Sequence, residues 1–185
     1  MPAYFQLVGQ MHLDYPSTSG TTLYVPPIIF DRNIHRVPLG VRLADMLWCG
    51  AGLSGLHCNS TTSIPTSVYS LPLTLAERVG GWDVGPESIG EDLHMWLKCS
   101  LALSANLTTR VVYSPASQCN VDTDIKGLRG YFCGLHARYV QALRHTWGAL
   151  DVGYMIQEVG GRVRQLSTVQ RGLEVRYRTP LRAEK

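Results

Sequence analysis

The sequence has little charge: only 17% of its 185 residues are Asp, Glu, Lys or Arg, against roughly 25% in an average soluble domain. With 45% apolar residues, it has enough material for a core and is not a charge-driven disordered chain. The scarcity of charge also predicts an apolar face left uncovered in the free chain. No apolar run of about 18 residues occurs. The best candidates, residues 39–56 and 93–107, are broken by Arg42 and Asp45 and by Lys98. The start, Met1-Pro2-Ala3-Tyr4-Phe5-Gln6, has neither the basic nor the apolar region of a signal peptide. Neither a transmembrane segment nor a signal peptide is therefore expected.

Several chemistries lack their motifs. There is no G-x-G-x-x-G and no G-x-x-x-x-G-K-[ST]. Gly52-Leu53-Ser54-Gly55 is one residue short of a hydrolase elbow. The five cysteines, Cys49, Cys58, Cys99, Cys119 and Cys133, form no C-x-x-C. Their wide spacing reads as reduced, buried thiols on a cytosolic face. His57 and His94 have no second ligand three or four residues further along the chain, so both read as structural and no metal set is assigned. No internal repeat or low-complexity segment is present.

The net charge of +3 is concentrated at the end. Residues 160–185 carry seven basic and two acidic residues, so the rest of the chain is net negative. We read 1–159 as the domain and 160–185 as a basic, poorly patterned tail, solvated rather than bound to nucleic acid. No nucleic-acid-binding module is recognisable.

Helices alternate with strands, which predicts an α/β fold with a mixed sheet flanked by helices. Residues 21–30 read as an edge strand or extended segment around Pro26-Pro27. Helical spacing after Pro38 runs to Trp48, and Gly50, Gly52 and Gly55 are expected to loosen the chain. Residues 64–71 read as a strand. Ser70 is placed as the cap of a short helix that Gly80-Gly81 stops. Ser88 or Gly90 opens another helix, with Leu93, Trp96, Leu97 and Leu101 on its buried face. Residues 108–113 read as a strand, and a last helix spans about Leu128 to Trp147.

Two clusters could carry chemistry. Glu91 and Asp92 begin a helix, eight and nine residues beyond Gly80-Gly81-Trp82-Asp83. Neighbours on a helix point about 100° apart, so one carboxylate can brace while the other takes a proton from an attacking hydroxyl. Such pairs are also ordinary first-turn acids. The second cluster is Gln141, Arg144 and Trp147. Gln141, Arg144 and His145 share a helix face, and an amide beside a guanidinium fork suits a diphosphate.

Together these clusters resemble a known family. The string SVYSLPLTLAERVGGWDVGPESIGEDLHMWLKC, then VVYSPASQCNV, then RYVQALRHTWGALDVGY, is similar to the second half of a family 2 glycosyltransferase catalytic domain. The resemblance runs from about Leu23 to Tyr154. It implies a GT-A-type fold and inverting transfer of a sugar, hexosyltransferase-like, from a nucleotide-sugar to a carbohydrate or lipid-linked acceptor. Asp92 would be the general base and Glu91 its neighbour. Trp82 and Asp83 would shape the acceptor site, and Gln141 and Arg144 would lie near the diphosphate. The residue after Arg144 is His145, and the tryptophan stands two places later, at Trp147, which can stack on a sugar or base or simply pack.

The resemblance also implies a divalent metal, Mg or Mn, held by a D-x-D motif upstream of the carboxylate pair. Asp122-Thr123-Asp124 lies downstream instead and reads as chance. The expectation is therefore a partial GT-A-like domain whose nucleotide-binding half and metal ligands are missing. Its full-length parent would be membrane-associated, with the catalytic domain on the cytosolic side. The rival expectation is a truncated, non-catalytic fragment or interaction module.

Overall fold

The computed structural model describes residues 2–56, 63–82, 90–146 and 151–164. The chain divides into two compact units, Met1–Gly148 and Ala149–Lys185. The first is a mixed α/β unit. In order it contains α1 (Pro2–Asp14), β1 (Thr22–Val25), β2 (Ile28–Ile29), α2 (Leu39–Ser54), α3 (Leu73–Arg78), α4 (Glu91–Ala102), β3 (Thr108–Val111), β4 (Ala116–Ser117) and α5 (Gly127–His145). In the second unit, residues 151–164 are helical, so the helical pattern continues through Gly160-Gly161.

β1 runs parallel to β3, with Thr22 opposite Thr108 and Val25 opposite Val111. β2 runs parallel to β4. Every residue of β1 is buried, as expected of a strand covered on both faces. β1 is not an edge. Its other side carries Ser70, whose backbone exchanges two hydrogen bonds with Tyr24 at 2.8 and 2.9 Å. Pro26-Pro27 falls between β1 and β2, where no ladder donor is needed, so the prolines divide the strand rather than expose it. Residues 64–71 make isolated bridges only, Thr66 with Val68 and Tyr24 with Ser70.

Two apolar clusters anchor the unit. One joins Tyr4, Tyr24 and Val112, with Val8 and Met11 of α1 packed on it. The other joins Leu75, Met95, Cys99 and Leu103. Met95, Leu97 and Cys99 form the buried side of α4. Leu93, Trp96 and Leu101 are only half-buried, because α3 meets the helix along the line from Met95 to Cys99. Cys99 is buried, whereas Cys119 is exposed and Cys49 and Cys133 are intermediate, so burial of all the thiols does not hold. Cys58 and His57 lie outside the described residues.

α2 extends through Gly50 and Gly52 to Ser54, because continuing apolar spacing outweighs the roughly 1 kcal/mol cost of each glycine. α5 crosses it closely at one point. A Cβ on Gly134 would lie 2.9 Å from Pro38 Cγ. Leu39, Leu43, Met46 and Leu47 are exposed on α2, as are Leu128 and Phe132 on α5. These stripes are the uncovered apolar surface that the low charge predicts.

Candidate active site

The carboxylate pair sits at the first turn of α4, with Gly90 as the N-cap residue. Each acid is held locally. The Asp92 amide donates to Glu91 Oε2 at 2.9 Å, and the Leu93 amide donates to Asp92 Oδ1 at 2.8 Å. The Ser67 amide reaches Asp92 Oδ2 at 2.8 Å from 25 residues away. Ser67 has φ of 58°, a left-handed conformation that costs a non-glycine residue roughly 1–2 kcal/mol. With one donor on each oxygen, the Asp92 carboxylate is fixed and still has free lone pairs.

α3 brings an aromatic wall to this turn. No side chain caps α3. Its N-cap residue is Pro72, and Ser70 Oγ bonds the Tyr4 hydroxyl at 2.9 Å instead. Ser70 is committed to α1, so it cannot serve the helix as cap. Gly80 and Gly81 end α3 with φ of 84° and 79°, which L side chains rarely adopt. Lys98 Nζ on α4 donates to the Gly81 carbonyl at 3.0 Å and ties this turn to the carboxylate helix. Trp82 follows, 47% exposed, and its Nε1 donates to the Tyr69 hydroxyl at 3.0 Å.

The electrostatics of this cluster are mutual. Burial, and then the charges of Glu91 and Asp92, push the Tyr69 phenol up to about 12 against the Trp82 hydrogen bond. Tyr69 therefore keeps its proton at any ordinary pH. Burial raises Glu91 above the usual carboxylate range, and the neighbouring Asp92 raises it further. Asp83 lies outside the described residues.

The second cluster lies on α5, which packs on α2. Gln141 is half-buried and Arg144 is exposed, so the shared face is graded from core to solvent. Arg138 Nη1 donates to Gln141 Oε1 at 2.8 Å, and Arg138 Nη2 pairs with Asp45 Oδ1 at 3.1 Å. Asp45 is buried on α2. Its Oδ2 accepts from Asn120 Nδ2. Asn120 in turn is clamped by Asn33, backbone to side chain in both directions, at 2.8 Å each. Burial pushes Asp45 up and Arg138 pulls it down. Trp147 lies outside the described residues. Among the described residues, no hydrogen bond or ion pair joins this cluster to Glu91 or Asp92.

Asp122 and Asp124 do not suit a metal. Both grip the same Arg36 guanidinium, at 2.9 and 2.6 Å, so an oxygen of each is already engaged and one of the two negative charges is matched. Among the described residues no group of three His, Cys, Asp or Glu side chains could hold an ion. Arg36 and Asp124 line a cleft of about 530 Å³ at the start of α5, and neither Glu91 nor Asp92 is part of its lining.

Sequence reasoning missed Ser67, Tyr69, Asp45 and Arg138. Arg138 was findable, since it lies one turn before Gln141. An aspartate within the apolar stripe of α2 was a second signal. Nothing in the sequence marked Ser67 or Tyr69.

This arrangement places an acid pair at a helix start beside an exposed tryptophan, with an amide and guanidinium on a separate helix. Residues 17–181 match the family described as Glycosyl transferase family group 2. The match covers most of the sequence, and the chain belongs to that family. No curated protein and no solved structure matches it. Among the described residues, no helix is long and apolar enough to cross a membrane.

Proposed function

We propose that the chain carries the acceptor side of an inverting glycosyltransferase site, with Asp92 as the general base. An acceptor hydroxyl attacks the anomeric carbon of a nucleotide-sugar. The new carbon–oxygen bond forms as the bond to the diphosphate breaks. The hydroxyl proton passes to Asp92, and the nucleoside diphosphate leaves. Glu91 braces the turn through the Asp92 amide. Trp82 offers a half-exposed ring for a sugar to stack on. Gln141 and Arg144 hold the diphosphate or the acceptor.

One observation carries the reading. Asp92 is held by an amide on each oxygen, and its charge acts on Tyr69, whose hydroxyl accepts from Trp82. A pre-positioned carboxylate loses little freedom when it takes up the proton. The acceptor is a carbohydrate or lipid-linked hydroxyl. Membrane association, on the cytosolic side, belongs to the same reading and is supported by the exposed apolar residues of α2 and α5.

The test is a nucleotide-sugar panel with Asp92→Asn. Turnover is expected to fall about 10²–10⁴-fold, the range for losing a positioned base, with nucleotide-sugar affinity retained. Unchanged transfer by the variant would remove Asp92 from the chemistry. Sugar-nucleotide binding without transfer by the wild-type chain would favour the interaction-module alternative.

A further inference from the structure

We infer that Arg138 and Asp45 are positioning residues that fix which end of the Gln141 amide faces the ligand. The inference rests on the reading of Gln141 as a diphosphate or acceptor contact and deepens it.

The argument is one of donors and acceptors. A guanidinium has only N–H groups to offer. Arg138 Nη1 lies 2.8 Å from the Gln141 side chain, so the atom it meets must be the carbonyl Oε1. An NH₂ in that place would set donor against donor. The carbonyl of Gln141 is thereby occupied and its NH₂ is left for a ligand. That end suits an anionic phosphate oxygen or a sugar hydroxyl. A freely rotating amide would present the repelling carbonyl half of the time.

Arg138 can hold this position because its other arm is anchored. Nη2 pairs with Asp45 at 3.1 Å. The side chains of Asp45 and Arg138 are 8% and 16% exposed. Asp45 is in turn held by Asn120, and Asn120 by Asn33. The chain of contacts runs from a turn after β2, through α2, to one face of α5. Its charges cancel locally, so the exposed Arg144 remains the cation for a ligand. A planar fork spans two acceptors, whereas a lysine delivers a point charge to one. An apolar pair would fill this space at no loss of stability, but it could not orient an amide.

The experiment is a double-mutant cycle on the full chain, read by titration with UDP, GDP and inorganic pyrophosphate. Gln141→Ala and Arg138→Lys are each expected to weaken binding roughly tenfold, as for a hydrogen bond to a charged group. The double variant should bind no worse than either single one. The ¹⁵N signal of the Gln141 side-chain amide should shift in Arg138→Lys, a change that a purely structural role elsewhere would not produce. Circular dichroism reports folding. If Arg138→Lys is unfolded, Asp45→Asn takes its place in the cycle. Additive losses, or no loss in Arg138→Lys where Gln141→Ala is weakened, overturn the positioning role and leave the reading of Gln141 intact. No effect of Gln141→Ala, or no binding of any of the three probes, overturns both.

Discussion

The two polar regions of this chain are built in opposite ways. At the start of α4 the acids are held by backbone amides, two of them from the same helical turn. They stay half-open to solvent. Between α2 and α5 the charges are held by other side chains, across 75 residues for Asp45 and Asn120, and are nearly buried. Amide donors fix a carboxylate without neutralising it, so it stays available to a ligand. A guanidinium that neutralises a buried carboxylate makes that carboxylate structural. The first region is therefore left open to a ligand and the second is closed on itself.

Removing one carboxylate from each region should break this contrast most sharply. Asp45→Ala leaves Arg138 as a buried unpaired charge, which costs about 3–5 kcal/mol. Urea unfolding should show the midpoint collapse. Asp92→Ala removes the Leu93 and Ser67 amide hydrogen bonds at a half-exposed helix start and should cost only about 1 kcal/mol. Similar losses at the two positions would mean that the regions do not differ in kind.

A smaller effect tests how the aromatic wall is held. Gly80 and Gly81 both sit at positive φ with open space around the missing Cβ. Gly81→Ala therefore meets no clash and pays only backbone strain, about 1–2 kcal/mol. The strain can be relieved by moving the turn. The Trp82–Tyr69 hydrogen bond should then weaken, read as a red shift of Trp82 fluorescence in a background where the other tryptophans are replaced. An unchanged spectrum with a full stability loss would show that Lys98, through the Gly81 carbonyl, holds the turn in place.

The contrast also explains what the sequence could and could not reveal. The starts of α4 and α5 and the stop at Gly80-Gly81 depend on residues close in the chain. Propensity and spacing reach that far, and they placed Glu91 and Asp92 correctly at a first turn. Ser67 lies 25 residues from Asp92 and contributes only its amide, which any residue but proline supplies. Its identity therefore carried no signal. Ser70 looked like a helix cap because capping is local, whereas its actual partner, Tyr4, is 66 residues away. The helix α1 went unread because its weakly amphipathic sequence opens without a capping residue or a first-turn acid.

The smallest effect separates two forces on Glu91. Burial and the Asp92 charge hold its pKa above the ordinary value. In the folded state the proton is thus bound more tightly than in the unfolded state, whose pKa stays near about 4.3. Below that value both states are protonated and there is no penalty. As pH rises through the window between the unfolded value and the raised folded one, the penalty grows, and it is complete above the folded pKa. Glu91→Gln keeps an acceptor for the Asp92 amide and removes the ionisation. It should therefore stabilise the chain at pH 7 by less than about 1 kcal/mol, because the side chain is solvent-screened. That gain should vanish near pH 4. The helix dipole acts in the opposite direction and favours a charge here by about 0.3–1 kcal/mol. A variant that is less stable at pH 7, with the loss disappearing on acidification, would show that the free amides at the start of α4 outweigh burial. The acid pair would then be held by its helix alone, and the contrast with the Asp45 network would be sharper still.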